Sequence, residues 1–220
     1  MLRGIDVSSW QGDIDPTKLS QVQFCLTKAT EGLTYVNPYC DKVVQKCIKA
    51  GMPWGFYHFG QTNDPVAEAD YFIRACENYF HEGIPVLDWE REQSVDWVNK
   101  FVRRVHYKTG IWPWIYSNPR FFNKGGVEAN CGRWIAWYPS VSKPSIEYNP
   151  GSVPKTDGTV CAWQFASDGQ VDGYNANLDV NIFYGDREAW YKYAGKEISE
   201  QPSKISVLEN DEYKVIIEKQ

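Results

Sequence analysis

Two apolar rhythms alternate along this chain. Short runs rich in Val, Ile, Phe and Trp predict strands at residues 4–8, 24–30, 54–59, 84–90, 111–116, 134–137, 160–165 and 178–183. Helical spacing fills the early gaps. Val43, Val44, Cys47 and Ile48 share one side of a helix predicted over 38–50, which Gly51 stops. Asp64 reads as an N-cap with Pro65 at the first helical position, and Glu68 and Asp70 lie in that first turn, where the helix dipole favours acids. Val95, Val98, Phe101, Val102 and Val105 mark a helix over 94–107, ended by Gly110. A short helix starts at Asn118-Pro119, and then the rhythm changes: the last three strands leave little room for full helices. Eight strands, five of them in βα units, predict an α/β, TIM-like closed barrel. Pro139, Pro144, Pro150 and Pro154 mark 138–158 as a long loop inside the same domain, because strands still follow it. Residues 1–195 thus form one barrel domain. From about Lys196 the composition turns to Glu, Lys and Ser, the mark of a linker, and 205–219 read as a short hairpin or the start of a C-terminal module.

Composition narrows the function classes. The 220 residues are 43% hydrophobic, enough for a large core, and include ten Trp and fourteen Tyr, whose flat faces also stack on sugars. Net charge is −5, and no basic run is long enough to track a phosphate backbone, which argues against nucleic acid. No apolar segment reaches the ~20 residues that span a membrane. The first residues lack the apolar stretch of a secretion signal, so the expectation is cytoplasmic synthesis or an export signal lying elsewhere. Six scattered cysteines read as free thiols, since Cys25 and Cys161 sit in apolar strand runs and no C-x-x-C occurs. His58, His81 and His106 stand far apart, so neither a zinc site nor any other cofactor is expected.

The chemistry concentrates at one pair. Asp88 and Glu90 end the fourth strand, two residues apart, and in a strand such side chains share a face. Neighbouring carboxyls resist ionising together, so one keeps a proton beside a charged companion, the arrangement that glycosidic cleavage uses. The other strand ends carry Asp6, Tyr57, Tyr116, Trp137, Gln164 and Asp179, with Glu31 just after the second strand. In such barrels the C-terminal strand ends form the active face.

Six stretches in order then carry a resemblance: Gly4-Ile5-Asp6-Val7-Ser8, Lys28-Ala29-Thr30-Glu31-Gly32, Gly55-Phe56-Tyr57-His58-Phe59, Leu87-Asp88-Trp89-Glu90, Ala162-Trp163-Gln164-Phe165 and Leu178-Asp179-Val180-Asn181. Together, over residues 4–184, they resemble glycoside hydrolase family 25, the Chalaropsis-type lysozymes common as phage endolysins. The resemblance implies a (β/α)5(β)3 barrel that cleaves the β-1,4 bond between N-acetylmuramic acid and N-acetylglucosamine in bacterial peptidoglycan. By motif, it makes Glu90 the general acid. Asp88 stabilises the positive charge growing on the sugar or holds its 2-acetamido group, and Asp6 and Asp179 are the remaining acids of the barrel floor. Tyr57 and Tyr116 bond the sugar, and Glu31, Trp137 and Gln164 are further substrate-binding candidates. Direct attack by water and an oxazolinium route both stay open. The resemblance also fits cytoplasmic storage, holin-dependent release and a C-terminal wall-binding module.

The same residues admit other readings. Asp88 and Glu90 can be a solvated strand end, Asp6 an acceptor for the turn at Ser8-Ser9, Asp179 a turn cap near Asn181, and Glu31 a turn residue. Strand alternation puts His58 opposite Tyr57 and into the core, and Trp89 outward beneath the helices. A chitinase-like enzyme also ends its signature in Asp-Trp-Glu, but it needs acids two and five positions before Asp88, where Val86 and Gly83 stand. A non-catalytic glycan-binding barrel would be expected to have lost Asp88 or Glu90.

Overall fold

The computed structural model describes residues 1–196 and, beyond them, the backbone of 206–209 and 214–217. Eight strands close a barrel: β1 (Leu2–Val7), β2 (Phe24–Glu31), β4 (Trp54–Phe59), β5 (Ile84–Asp88), β6 (Trp114–Ser117), β7 (Arg133–Ala136), β8 (Val160–Gly169) and β9 (Leu178–Phe183). A two-residue strand, β3 (Tyr35–Val36), pairs antiparallel with the end of β2. β1, β2 and β4 through β8 run parallel around the barrel, whereas β9 runs antiparallel to both β8 and β1 and closes the circle. The expected helices are present as α1 (Cys40–Ala50), α2 (Pro65–Ala75), α3 (Val95–Thr109) and the short α4 (Pro119–Phe122). Asp64 caps α2 through its side chain, 2.9 Å from Ala67 N, and Ser94 and Asn118 cap α3 and α4 in the same way.

Period-2 alternation sorts side chains into two cores. Outward residues such as Ile5, Val7, Phe56, Leu87, Trp89 and Ile115 meet the helices' apolar faces. Inward residues, including Phe24, Leu26, Val86, Trp114, Trp134 and Phe183, fill the lower barrel. The interior is tight: a Cβ on Gly4 would stand 2.4 Å from Phe24 O, and one on Gly55 2.5 Å from the Leu26 side chain. Only glycine lets β1 and β4 pass these neighbours.

Three departures from the sequence reading have clear causes. The strand expected over 111–116, β6, starts at Trp114, because Pro113 has no N–H to give a ladder. A fifth helix, α5 (Arg187–Ala194), follows β9 unanticipated, with Asp186 as N-cap and Gly195 in a left-handed C-cap. Its Trp190 plugs the barrel's lower end, packs on Phe24, Trp114 and Phe183, and donates to Trp54 O at 3.0 Å. Finally, Glu68 is more than a first-turn acid. It is fully buried, 3.0 Å from His58 Nε2, and accepts from Gln61 N, Asn63 N and Asn63 Nδ2. His58 is a core residue, as expected, and Trp89 is fully buried on Phe121 and Phe122.

All six cysteines are buried free thiols. The long loop is pinned where Arg3 Nη1 donates to Tyr148 O at 2.7 Å and where Ser145 bridges Gln170. Strands β10 (Ser206–Glu209) and β11 (Lys214–Ile217) pair antiparallel. The linker expected over 195–204 lies, beyond Lys196, outside the described residues.

Candidate active site

Polar side chains replace apolar ones in the last inward layer of the barrel. β1 presents Asp6, β4 Tyr57, β5 Asp88, β6 Tyr116 and β8 Gln164. Asp179 joins them for a different reason from the one the sequence suggested. It stands at the start of β9, not its end, and reaches the same layer because β9 is reversed, opposite Asp6. Glu90 lies two residues past the end of β5. Trp89 N still donates to Tyr116 O at 2.9 Å, and Ser117 Oγ to Trp89 O at 2.6 Å, so the alternation continues and returns Glu90 to the cleft. Asp88 and Glu90 therefore share one cavity of about 220 Å³ with Asp6, Tyr57, Tyr116, Trp134, Tyr138, Gln164 and Asp179.

The floor is wired by hydrogen bonds. Asp6 Oδ2 accepts from Gln164 Nε2 at 2.8 Å and Asn181 Nδ2 at 2.7 Å. Gln164 Oε1 in turn accepts from Tyr116 at 2.8 Å and Tyr138 at 2.5 Å, and Asn181 Oδ1 accepts from Trp134 Nε1 at 2.8 Å. Both amides are thus oriented by their donors, which fixes their N–H groups on Asp6.

Burial dominates the site's electrostatics. It pushes the Asp6 carboxyl up to about 6, against the pull of the Gln164 and Asn181 hydrogen bonds. It pushes Asp179 up to about 8, helped by the charges of Asp6 and Glu90. Asp88 is driven well above the carboxylate range by burial first, then by the charge of Glu90 and a hydrogen bond between the two carboxyls. Asp88 is the buried member of the pair, and burial raises its hold on a proton; Glu90 is exposed. Lys28 opposes this, drawing Asp88 down. Burial, then the surrounding acids, keep the Tyr57 phenol protonated and a donor.

A raised carboxyl binds its proton more tightly folded than unfolded. The stability it contributes is complete below its ordinary value of 3.8 and is lost as pH rises through about 8 for Asp179. Asp179→Asn removes that loss. Its melting temperature should match the parent's near pH 4 and exceed it by roughly 3 °C at pH 8, read by thermal unfolding across pH.

A second, wider groove of about 470 Å³ opens beside the cleft, and Glu90, Tyr116 and Tyr138 line both. Trp137, half exposed, walls it together with Asn118, Arg120 and Phe121. Of the expected site residues, Asp6, Asp88, Glu90, Asp179, Tyr57, Tyr116 and Gln164 line the cleft, and Trp137 lines the groove. Glu31 lines neither. It sits on the rim, held by Lys28 Nζ at 2.5 Å and Gln61 Nε2 at 2.6 Å. Lys28 itself lies over the Phe59 ring at 4.6 Å. Sequence reasoning passed over Asn181, Trp134 and Tyr138. Asn181 carried a usable signal, since it stands two residues from Asp179 and shares its face.

Comparison with known proteins gives a consistent set of matches. Residues 5–174 match the family model described as Glycosyl hydrolases family 25. An autolytic lysozyme of Clostridium acetobutylicum is 30% identical over 191 residues, which cover 83% of this chain and 56% of that protein. The chain therefore spans little more than half the length of that curated relative. Lysozyme M1 of Streptomyces globisporus is 30% identical over 208 residues, covering 84% of this chain and 68% of the relative. Among solved structures, the bacterial lysozyme of Streptomyces coelicolor superposes with a TM-score of 0.72 at 27% identity, covering 88% of this chain and 97% of that one. A family 25 glycosyl hydrolase from Bacillus anthracis gives 0.70 at 26% identity, covering 88% and 94%.

Proposed function

The chain belongs to glycosyl hydrolases family 25, and from that membership we propose that it is an N-acetylmuramidase. It cuts the β-1,4 bond between N-acetylmuramic acid and N-acetylglucosamine in bacterial peptidoglycan. One observation supports this above others: Asp88 and Glu90 meet in a cleft with Asp6 and Asp179, and the cleft shares Glu90, Tyr116 and Tyr138 with a groove of about 470 Å³.

Glu90 is the general acid. Being exposed, it can reach a glycosidic oxygen lying across the mouth of the cleft. Burial and the neighbouring Glu90 raise the hold of Asp88 on a proton, and a hydrogen bond links the two carboxyls, so a proton can pass from Asp88 to Glu90 as Glu90 gives one to the glycosidic oxygen. Asp88 is then left charged beneath the sugar. There it stabilises the developing positive charge or anchors the 2-acetamido group as its oxygen attacks the anomeric carbon. Asp6, fixed by Gln164 and Asn181, and the half-buried Asp179 complete the negative floor that favours a cationic transition state. Tyr57 and Tyr116 supply phenol donors to the sugar.

Six buried free thiols fit storage in a reducing compartment, and we read the enzyme as held in the cytoplasm and released to the wall through a holin lesion. Residues 1–195 are then the catalytic unit, and 196–220 a linker or the start of a C-terminal module. Mass spectrometry of digested walls tests the assignment. The expected products end in reducing N-acetylmuramic acid. Fragments ending in reducing N-acetylglucosamine, or no fragments at all, would overturn it.

A further inference from the structure

The groove beside the cleft carries charge that the glycan backbone does not need. Arg120 lines it, exposed, with its guanidinium 4.8 Å from the centre of the Phe121 ring. Lys124 lies over the same ring from 4.5 Å. Neither cation is in an ion pair with a described residue, although nine such pairs hold other charges of the described chain. In a chain of net charge −5, two unpaired cations sharing one aromatic ring beside the cleft make a local positive edge. The groove has roughly twice the cleft's volume, about 470 against 220 Å³, and runs into it at Glu90. Glu90 is the acidic member of the groove's lining, and it belongs to the end shared with the cleft.

We propose that this groove receives the stem peptide of the muramic acid residue and that Arg120, seconded by Lys124, binds a peptide carboxylate. The inference rests on the muramidase reading, because only a muramic acid in the cleft places a peptide here. The chemistry matches on three counts. The stem leaves the sugar through its lactyl group, so it must exit beside the cleft. Unless amidated, it carries free carboxylates, for which a guanidinium is the geometrically favoured partner. The half-exposed Trp137 offers an apolar wall for the peptide's methyl groups. Arg120 is thus a specificity residue: it touches the substrate's side branch and no reacting atom.

Two measurements test this. The first compares kcat/KM on soluble glycan strands bearing stems with that on the same strands stripped by an amidase. Arg120→Ala should lower the ratio of the two about tenfold, the scale of one charge-assisted hydrogen bond. Arg120→Glu should lower it further, and Arg120→Lys should restore most of it. Stems whose carboxylates are amidated should erase the difference between parent and Arg120→Ala. An unchanged ratio would overturn the proposal, as would equal loss on both substrates. The second measures binding of a free acidic stem peptide by isothermal titration. The parent should bind it, Arg120→Ala should bind about tenfold more weakly, and salt should weaken the parent's binding. If the parent binds peptide yet cleaves neither glycan, the muramidase reading falls and the peptide groove stands. If cleavage proceeds without any dependence on Arg120 in either measurement, the groove assignment falls alone.

Discussion

Replacing Glu90 by Gln is expected to leave the barrel folded and to cut turnover of wall glycan by about 10²–10⁴-fold, the usual share of a general acid. The side chain is exposed and past the end of β5, so an isosteric amide there disturbs little packing. What it removes is the acid, since an amide cannot give a proton to the departing oxygen. A glycoside whose leaving group is an acidic phenol needs no protonation, so on that substrate the same variant should retain most of its rate. Asp88→Asn should behave differently, losing activity on both substrates, because its charge acts on the sugar whichever group departs. A second signature follows from electrostatics. The charge of Glu90 helps raise Asp6, Asp88 and Asp179, so Glu90→Gln should let all three titrate lower, a shift visible by carboxyl NMR. Equal losses on natural and phenolic substrates would reassign the acid.

The residues that sequence could place are those governed by strand alternation. Asp6, Tyr57, Asp88, Tyr116 and Gln164 follow from a local rule, and the barrel needs no more than that rule to gather them. Asp179 shows its limit. It is in the right layer, but for a reason visible only in three dimensions, since nothing local says that β9 runs backwards. Glu31 shows another limit. It is the last residue of β2, and the ion pair with Lys28 and the bond from Gln61 hold it outside the lining of the cleft and the groove. Tyr138 lies in a loop and Arg120 in the four-residue α4, too short to show a period, so no periodicity points to them. α5 was legible and missed: Asp186, the helix formers after it and Gly195 are complete start and stop signals. Which acid of the pair is buried needed coordinates, because their strand treats the two alike.

The largest expected loss of stability comes from a residue away from the cleft. Glu68→Ala should destabilise the fold by roughly 3–5 kcal/mol, the cost of taking one charged acceptor from several buried donors. Glu68 is buried on α2 and satisfies four donors: the backbone N–H groups of Gln61 and Asn63, Asn63 Nδ2, and His58 Nε2. Removing it orphans all four at once inside the protein. The network assigns His58 its tautomer. Thr30 Oγ1, 2.8 Å away, donates to Nδ1, so Nε2 carries the hydrogen that Glu68 accepts. Burial holds His58 below its ordinary 6.5. For Glu68, burial pulls upward, but the hydrogen bonds of His58, Gln61 and Asn63 outweigh it and hold the carboxyl below its ordinary 4.5. Both groups bind protons more readily when unfolded, so both stabilise the native state at neutral pH. His58's contribution is lost as pH falls below 6.5, and that of Glu68 as it falls below 4.5. In thermal unfolding at pH 7 the alanine variant should melt about 10 °C below the parent. Its melting temperature should also change less between pH 7 and pH 4 than the parent's does. Glu68→Gln, which keeps an acceptor, should lose less. The consequence reaches the active face through one chain of contacts. Glu68 fixes the backbone of Gln61, Gln61 holds Glu31, Glu31 holds Lys28, and Lys28 restrains the proton affinity of Asp88. Loosening the buried end should therefore move the alkaline limb of the pH–rate profile as well as the melting point. A variant that melts early but keeps the parent's pH profile would show that the anchor serves the fold alone.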